Sequence, residues 1–372
     1  MASSFDVVIV GGGGIGASAA YFISLDGASV CLIDKGPVAR EASWASAGMI
    51  GPSMPRGYNP WYLETSTLSK TLYDRLHDEL TEVTGRRFVY GGKGMFYTAH
   101  TEGEADAARG EAKYQAANGV AAEFLPGDEC RRREPALRED VIGALYKAEG
   151  RYLEAGDYTA TVATAARAKG AEVREGVQVI GLVWEGDVVT GVRTAEGPIS
   201  AGLVINAAGA WAGGIDPRLT HPVRPLHGQI MSVEAPPEGL RHNVSRIGAH
   251  GYVTPRPDGR VIVGATEDDW GYAKKLTPDG LELLSHISEN LLPQLSNAAI
   301  LNIWSGLRPV TPDGLPAIGP DPRTSGGFVW AAGHSTTGML AAPATAVVLS
   351  DLAAGREPRI PLKQVLIDRF LN

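Results

Sequence analysis

The chain has 372 residues, of which 44% are hydrophobic and 20% are charged, an ordinary balance for a folded globular protein. Its 34 basic and 42 acidic residues give a net charge of −8, so no basic surface for nucleic acid is predicted. Cys31 and Cys130 are too few for a disulfide framework or a zinc site, and no metal site is predicted. The length is sufficient for two domains.

The first 34 residues read as a strand, a glycine turn, a helix and a second strand. Residues 5–10 and 30–33 are short apolar runs, as expected of strands buried on both faces. Residues 17–25 are apolar and small, with the spacing of a helix. Four consecutive glycines separate the first strand from this helix. The order predicts a βαβ unit with the glycines at its first turn.

The glycine turn has the spacing of a dinucleotide site. Gly11, Gly13 and Gly16 occupy the fixed positions of G-x-G-x-x-G, which allow a tight turn, close approach of a pyrophosphate and helix–strand packing. The free N–H groups at the start of the helix favour that anion. Asp34 ends the second strand, eighteen residues after Gly16, where a carboxylate can accept the ribose hydroxyls. A dinucleotide cofactor is therefore predicted.

The rest of the chain alternates between helical and strand-rich blocks. Helices are predicted at 60–84, 101–118, 158–168 and 278–291 and from about residue 337, and strands within 88–99, 172–206, 221–265, 300–310 and 327–332. The uncharged stretches 7–25 and 328–350 both contain residues that break helices, and the first lacks the basic n-region of a signal peptide. They are predicted to be buried rather than to span a membrane, and we expect a cytoplasmic protein.

Three small-residue segments favour FAD over NAD as the dinucleotide. They are ASWASAGM (42–49), VINAAGAWA (204–212) and AAGHSTTGMLAAPAT (331–345). Because FAD is an extended molecule, residues distant in sequence must reach its flavin end, and small residues let the backbone approach it closely. A helix that starts near residue 337 would direct its N–H donors at the flavin.

With these segments the chain resembles the FAD-dependent D-amino acid oxidase superfamily, and within it the glycine oxidases of bacterial thiazole (thiamine) synthesis. The motifs that carry the resemblance occur in order along nearly the whole chain: VIVGGGGIG, ASWASAGMI, YGGKGMFYTA, INAAGAWA, PVRPLHGQIMSV, GYVTPRPDGRVIVGAT, GLRPVTPDGLPAIG and GHSTTGMLAAPAT. The resemblance implies a mixed α/β (α+β) fold of the glutathione-reductase/D-amino acid oxidase type. A Rossmann-like FAD-binding domain (1–55, 145–218 and 315–372) would be interleaved with an antiparallel-sheet substrate-binding domain (56–144 and 219–314).

The resemblance also implies which residues hold the cofactor. Neither cysteine lies in the C-terminal segments expected at the flavin ring, so the FAD is predicted to be non-covalent. The implied FAD-binding residues are Gly11, Gly13, Gly14, Ile15, Gly16, Asp34 and Lys35 at the ADP half, Ala42, Ser43, Ala47, Gly48 and Met49 along the way to the flavin, Val179 at the adenine, and Ala208, Gly209, Gly333, His334, Ser335, Thr336, Thr337, Gly338, Met339 and Leu340 nearer the flavin.

For the substrate, the resemblance points to Arg308 and Tyr252. Arg308 lies in an otherwise apolar strand, IWSGLRPV, and matches the carboxylate-binding arginine of the family. A planar guanidinium binds a carboxylate through two hydrogen bonds; the alternative is a structural salt bridge. Tyr252 matches a tyrosine whose hydroxyl helps to hold the substrate, and the alternative is a core aromatic. Met49 is predicted to be both a catalytic residue and a residue of the cofactor-binding loop.

Two positions depart from the family pattern and leave the substrate open. Thr336 stands where the glycine-oxidase relatives carry a second arginine, and Glu267 stands where they carry an apolar residue. Glu267 either belongs to an exposed acidic turn or lies beside the substrate amine, and it is retained as a candidate catalytic residue. For His334 a backbone and packing role beside the flavin is preferred over that of a general base. The string GHSTTG has Thr337 where G-x-S-x-G needs glycine, which argues against a serine hydrolase.

The sequence thus predicts an FAD-dependent oxidoreductase that deaminates glycine, sarcosine or another small (D-)amino acid or amine. The products would be the oxo acid, ammonia or an amine, and H2O2, with O2 as the electron acceptor. Alternatives are a D-amino acid dehydrogenase that reduces a quinone, a 2-hydroxy acid dehydrogenase with His250 or His334 as its base, and a flavoprotein without activity. Homo-oligomerisation is left open.

Overall fold

The structure is a computed structural model that describes residues 4–371. Its strands are β1 (Ser4–Val10), β2 (Val30–Asp34), β3 (Met49–Ile50), β4 (Tyr90–Gly91), β5 (Met95–Ala99), β6 (Ala122–Pro126), β7 (Gly143–Lys147), β8 (Arg151–Leu153), β9 (Glu172–Glu175), β10 (Val179–Glu185), β11 (Val188–Thr194), β12 (Gly197–Asn206), β13 (Arg224–Glu234), β14 (Asn243–Arg246), β15 (Tyr252–Pro255), β16 (Arg260–Gly264), β17 (Ile300–Val310), β18 (Ala317–Pro320) and β19 (Phe328–Ala332).

The helices alternate with these strands along the chain. They are α1 (Gly14–Leu25), α2 (Ala42–Ala45), α3 (Trp61–Thr84), α4 (Glu102–Ala117), α5 (Gly127–Arg133), α6 (Ala155–Ala168), α7 (Pro278–Leu291) and α8 (Gly338–Ala353). Short 3₁₀ turns include Gly209–Gly214 and Ser335–Thr337.

The first sheet is built around the βαβ unit predicted from the glycine turn. β1 lies between β2 and β12 and pairs with both in parallel, while β9 pairs with β2 and β19 with β12, also in parallel. β10 and β11 extend the sheet as an antiparallel ribbon. Helices α1, α6 and α8 share one hydrophobic core on this sheet. Because both faces of its central strands are covered, β1 and β2 carry apolar runs rather than alternating patterns.

The second sheet is mostly antiparallel. Its order is β17-β13-β16-β15-β14-β5-β7-β6, with one parallel pair between β14 and β5. Helix α7 packs against it through Leu284 and Ile287, which share a core with Val253. A third sheet, β3-β8-β4, has three short strands. A parallel Rossmann-like sheet together with an antiparallel one confirms the mixed fold class predicted from the sequence.

Two details of the packing differ from the predicted division into domains. Helix α3 was predicted to lie in the substrate-binding domain, but Tyr73 and Leu76 pack in the core of the first sheet. The hydroxyl of Tyr73 donates a hydrogen bond to the carbonyl of Met339 at 2.5 Å. The boundary predicted at residue 145 falls inside β7, a strand of the second sheet. We therefore propose that α3 belongs with the first sheet and that the boundary follows Lys147.

One helical segment, 335–353, is long and apolar enough to cross a membrane by length and composition alone. In the fold, 67% of its apolar stretch is buried inside the protein. It packs on α1 and α3 within the core of the first sheet, which is the environment of a core helix.

Candidate cofactor and substrate site

A cavity of about 720 Å³ runs from the first sheet to the second. At the first sheet it is lined by Val10 and Ile33, at the carboxyl ends of β1 and β2. At the second sheet it is lined by Ile230 of β13 and by Arg308 of β17. Ligands of open α/β sheets bind outside the carboxyl ends of the parallel strands, so the cavity lies where a dinucleotide is expected.

The glycine turn forms one end of the cavity. Gly11 has φ +106°, a conformation that glycine adopts without strain, and a Cβ there would meet the carbonyl of Ala207. A Cβ on Gly16 would meet the carbonyl of Gly11, so Gly16 permits the helix to pack closely on the turn. Helix α1 starts at Gly14, whose own N–H donates to Ser43 Oγ at 2.8 Å, and its N-cap residue offers no side chain, so the other N–H groups of the first turn are available to an anion.

Asp34 is held beside this turn by backbone N–H groups. Its two carboxylate oxygens accept from Gly12 N–H at 2.7 Å and from Gly36 N–H at 2.9 Å. Burial raises the pKa of Asp34, and these hydrogen bonds oppose the shift. Each oxygen keeps a further lone pair, so the carboxylate can accept ribose hydroxyls as predicted.

The end of the cavity at the glycine turn has further contacts that the sequence did not suggest. The Nζ of Lys35 lies 3.2 Å from the centre of the Trp211 ring, and burial lowers the pKa of this lysine. Trp211 stacks on Tyr272, with ring centres 5.6 Å apart. The Tyr272 hydroxyl donates to the carbonyl of Ala210 at 3.1 Å. Trp211, Ala210 and Tyr272 all line the cavity.

The small-residue loop that contains α2 is fixed by the second sheet. Arg256 Nη2 donates to the carbonyl of Ala47 at 2.7 Å, and Trp304 Nε1 donates to the carbonyl of Ala45 at 3.1 Å. Arg256 is buried and forms an ion pair with Glu154. Burial lowers the pKa of Arg256, while Glu154 opposes the shift. These bonds hold the middle of the cavity wall in place.

The start of α8 forms another part of the wall. Ser335 has φ +49° in the turn before the helix, and α8 has no side-chain cap. His334 is buried, and its Nε2 lies 3.2 Å from Thr345 Oγ1. Burial lowers the pKa of His334 to about 3, so at neutral pH the ring is uncharged and a weak base. This environment is consistent with a packing role and does not suit a general base.

Arg308 lies at the second-sheet end of the cavity. Its Nη1 donates to the carbonyl of Thr266 at 3.1 Å and lies 3.5 Å from the carbonyl of His227. Both partners are neutral, and within residues 4–371 no carboxylate pairs with this guanidinium. The alternative of a structural salt bridge therefore finds no support. A half-buried guanidinium with free N–H groups can bind a ligand carboxylate.

Tyr252 lines the same part of the cavity. Burial raises the pKa of Tyr252 to about 12, and the nearby guanidiniums of Arg308 and Arg256 oppose that shift. The hydroxyl is therefore protonated at neutral pH and can donate a hydrogen bond. Its position depends on Gly264, because a Cβ there would overlap the tyrosine ring.

Most of the predicted site residues line this single cavity. The lining residues among them are Gly11, Gly13, Gly14, Ile15, Asp34, Lys35, Ala42, Ser43, Ala47, Gly48, Met49, Val179, Ala208, Gly209, Tyr252, Arg308, His334, Ser335, Thr336, Gly338 and Met339. Those that do not line it are Gly16, Gly333, Thr337, Leu340 and Glu267.

Glu267 is exposed and lies outside the cavity wall. β13 and β16 pair at Ile230–Gly264, and the next pairing joins His227 to Asp268. Three residues of one chain segment thus oppose two of the other, as in a β-bulge. The placement favours the exposed acidic turn over a contact with the substrate amine. His250, the other candidate base, is also exposed and does not line the cavity.

Sequence reasoning missed the glycines that give the substrate end its space. A Cβ on Gly228 would come within 2.7 Å of Arg308 Cζ, and a Cβ on Gly306 would come within 2.5 Å of Ala45 Cβ. Both glycines lie inside strands, β13 and β17. An isolated glycine within a strand pattern marks a close approach, so this signal was present in the sequence.

Comparisons with known proteins agree with this geometry. The family described as "FAD dependent oxidoreductase" matches residues 6–352. The chain is 33% identical to a glycine oxidase of Pseudomonas putida over 96% of each chain. It is also 31% identical to the bifunctional protein ThiO/ThiG of Nostoc, over 93% of this chain and 52% of that protein.

The chain is also similar to solved structures of oxidases. The crystal structure of glycine oxidase from Geobacillus kaustophilus has a TM-score of 0.92 at 31% identity over 98% of both chains. An iminodiacetate oxidase from Chelativorans has a TM-score of 0.87 at 26% identity over 97% of this chain and 98% of the other.

The cavity fits FAD by its glycine turn, the N-termini of α1 and α8 and the carboxylate of Asp34. The prediction of FAD as the cofactor is confirmed, and so is the predicted superfamily. The chain belongs to the FAD-dependent oxidoreductase family and is an FAD-dependent enzyme.

Proposed function

We propose that this enzyme deaminates a small amino acid, with O2 as the electron acceptor. Amino acid, O2 and water would give the oxo acid, ammonia or an amine, and H2O2. The observation that carries the proposal is Arg308, whose guanidinium lies at the cavity and pairs with no carboxylate among residues 4–371. Such a group is costly to leave partly buried unless a ligand anion completes its hydrogen bonds.

The residues around Arg308 suit an amino acid. Its two free guanidinium positions would bind the carboxylate and fix the direction of the Cα–H bond. The protonated hydroxyl of Tyr252, on the same stretch of wall, would donate a second hydrogen bond to the carboxylate. The FAD, when bound, accepts the hydride that leaves the substrate carbon. The protein's part is then to bind and orient the substrate and to exclude water.

The chain's histidines argue for an amine substrate over a 2-hydroxy acid. Oxidation of a neutral amine by hydride loss needs no side-chain base, whereas oxidation of an alcohol needs one to take the hydroxyl proton. His334 has a pKa near 3 and its Nε2 already faces Thr345, and His250 is exposed outside the cavity. Neither residue suits the role that the alternative requires.

The names of the relatives support the same substrate class. Glycine oxidase and iminodiacetate oxidase both act, by name, on molecules that combine an amine with a carboxylate. FAD-dependent oxidation of an amine or amino acid is what these relatives share. The particular substrate, a role in thiazole synthesis and a cytoplasmic location stay predictions.

Anaerobic reduction of the bound flavin tests this function. The purified holoenzyme is mixed without oxygen with glycine, sarcosine, D-amino acids, L-amino acids and 2-hydroxy acids, and the visible flavin absorbance is followed. We expect a small amino acid to bleach the flavin and 2-hydroxy acids to leave it oxidised. Admission of O2 should then restore the colour and release H2O2.

Other outcomes separate the alternatives. Bleaching by a 2-hydroxy acid alone would replace the proposed substrate class. Bleaching by an amino acid with reoxidation by a quinone but not by O2 would make the protein a dehydrogenase. No bleaching with any compound would contradict the proposed function.

A further inference from the structure

The guanidinium of Arg308 is oriented by two backbone carbonyls. Nη1 donates to Thr266 O at 3.1 Å, and His227 O lies 3.5 Å from the same nitrogen. Among residues 4–371, no hydrogen bond engages Nη2 or Nε of this arginine. The position of the two carbonyls therefore determines how the rest of the guanidinium faces the cavity.

The carbonyl of Thr266 is not fixed by regular strand pairing. β16 ends at Gly264, which pairs with Ile230, and paired residues resume at Asp268; between them only Thr266 N–H, which donates to Gln229 O at 3.0 Å, bonds the described backbone to β13. Residues 265–267 form the bulge between these pairings. Thr266 must be held by other contacts if its carbonyl is to orient a long, flexible arginine.

Asp268 supplies those contacts. Its backbone exchanges two 3.0 Å hydrogen bonds with His227, so it fixes one of the two carbonyls directly. Its Oδ2 accepts from Thr266 Oγ1 at 2.9 Å, and that hydroxyl accepts from Gln229 N–H at 3.0 Å. The side chain of Asp268 thus ties Thr266 into the bulge, although Asp268 itself does not line the cavity.

We propose that Asp268 is a positioning residue for substrate binding, acting through Thr266 and the guanidinium of Arg308. The inference rests on the proposed function, in which Arg308 binds the substrate carboxylate. Loss of the Asp268 carboxylate removes the acceptor of the Thr266 hydroxyl, which loosens the Thr266 carbonyl although the Thr266 N–H stays bonded to Gln229 O, and lets the guanidinium turn away from the geometry that a carboxylate requires. The effect falls on carboxylate binding and leaves FAD binding unchanged, because the contacts of the ADP end lie elsewhere.

Kinetics of the Asp268→Ala holoenzyme test this role. We expect KM for the amino acid substrate to rise about 5- to 30-fold, with kcat and FAD content near those of the native enzyme. Inhibition by acetate, a carboxylate without an oxidisable amine, should weaken by the same factor. Asp268→Asn should restore most of the native KM, because its amide oxygen can still accept from Thr266.

Two further variants make the test specific. Asp269→Asn is the matched control, since the neighbouring carboxylate is exposed and its contacts are an ion pair with Arg224 at 2.9 Å and a 3.5 Å hydrogen bond from Gly271 N–H, both away from Thr266; its KM should stay native. Thr266→Val removes the hydroxyl that donates to Asp268 Oδ2, so it breaks the same hydrogen bond from the donor side. It should reproduce the rise in KM, which keeps the test decisive if Asp268→Ala folds poorly.

The double variant Asp268→Ala/Arg308→Ala separates positioning from a general structural effect. If Asp268 acts through Arg308, the double variant is no worse than Arg308→Ala alone. The inference would be overturned if the loss of kcat/KM in the double variant equalled the product of the losses in the two single variants. A native KM in both Asp268→Ala and Thr266→Val would also overturn it. The proposed function fails in a different way: no amino acid reduces the native flavin, or Arg308→Ala leaves KM and kcat unchanged.

Discussion

Gly228 leaves room for the guanidinium of Arg308 on the neighbouring strand. A Cβ at this position would lie within 2.7 Å of Arg308 Cζ, and the atoms displaced would be the far end of a flexible side chain. The fold can therefore accept the extra methyl group while the arginine cannot keep its place.

We predict that Gly228→Ala lowers kcat/KM for the amino acid about 5- to 100-fold, the cost of one disturbed charge-assisted bond. Flavin content and thermal stability should stay close to native. Gly103→Ala is the control, since that helical glycine has nothing within 4 Å of a built Cβ. Steady-state kinetics measures both variants, and equal values for them would contradict the role of Gly228.

Some positions of individual residues at the cavity could be predicted from the sequence. The position of Arg308 at the cavity could be predicted because an arginine in an apolar strand needs a partner, and Gly228 offered a weaker signal as a glycine within a strand; the binding of a carboxylate by Arg308 stays a prediction. The exposed placement of Glu267 was one of the two alternatives predicted from the sequence, which could not decide between them. It depends on one extra residue between two backbone pairings, and the string TEDD gives no sign of that register.

At the scale of elements, the β1-α1-β2 unit concentrates the backbone groups available to the cofactor. Gly13 is the N-cap residue of α1, and a Cβ there would lie 3.2 Å from Ser43 Oγ. This hydroxyl oxygen accepts a hydrogen bond from Gly14 N–H at 2.8 Å. A branched side chain would both displace Ser43 and fill the space that a pyrophosphate needs.

Gly13→Val should accordingly yield protein without bound flavin. The measurement is the ratio of FAD to protein after purification and after incubation with excess FAD, with circular dichroism as the check on folding. A folded variant that retains one FAD per chain would refute the assignment of this turn.

The elements that carry the two cysteines lead to a prediction about the attachment of the flavin. Cys31 in β2 and Cys130 in α5 are buried, and neither lines the cavity. Burial raises the pKa of each thiol to about 11, so both stay protonated and unreactive. Acid precipitation should leave the flavin in the supernatant, whereas a yellow pellet would indicate a covalent link.

Helices were the elements best predicted from the sequence. The helices expected at 60–84 and 278–291 are found at Trp61–Thr84 and Pro278–Leu291, because their apolar faces repeat at helical spacing. Periodicity says nothing about which sheet a helix covers. The packing of Tyr73 and Leu76 in the core of the first sheet could therefore not be predicted from the apolar spacing of α3.

At the scale of the whole molecule, a half-buried histidine makes stability depend on pH. His221 packs 4.6 Å from Trp330, and its Nδ1 accepts from Val223 N–H at 2.8 Å. Burial, helped by Arg369 and Arg323, lowers the pKa of His221 to about 4. In the unfolded chain the ordinary value is about 6.5, so between these values the unfolded state binds more protons than the folded state.

The free energy of unfolding should therefore fall as the pH drops from about 6.5 to 4, by at most about 1.4 kcal/mol per pH unit for this one group. His221→Asn keeps an acceptor for Val223 N–H but cannot be protonated in this range. Denaturant unfolding of both proteins at several pH values should give a shallower slope for the variant. Identical slopes would show that His221 titrates normally in the folded state.

The cavity itself is a property of the whole molecule. Its wall combines the loop at 42–49, the turn before α8 and strands of the second sheet, and hydrogen bonds from Arg256 and Trp304 connect the loop to the second sheet. The order of the motifs along the chain, through the family resemblance, predicted which segments lie at the two ends of the cavity. The connecting bonds could not be predicted, because they join residues more than 200 positions apart with no local pattern.

The central claim, that Arg308 binds the carboxylate of an amino acid which the enzyme oxidises, is tested most directly by anaerobic flavin reduction in the native enzyme and in Arg308→Ala. Loss of a charge-assisted bidentate pair in a desolvated site costs roughly 2–5 kcal/mol. The second-order rate of bleaching by the amino acid should fall by roughly 30- to several-thousand-fold, with unchanged FAD content. Arg308→Lys should recover only part of the loss. Equal bleaching of the native enzyme and Arg308→Ala by the amino acid would contradict the account.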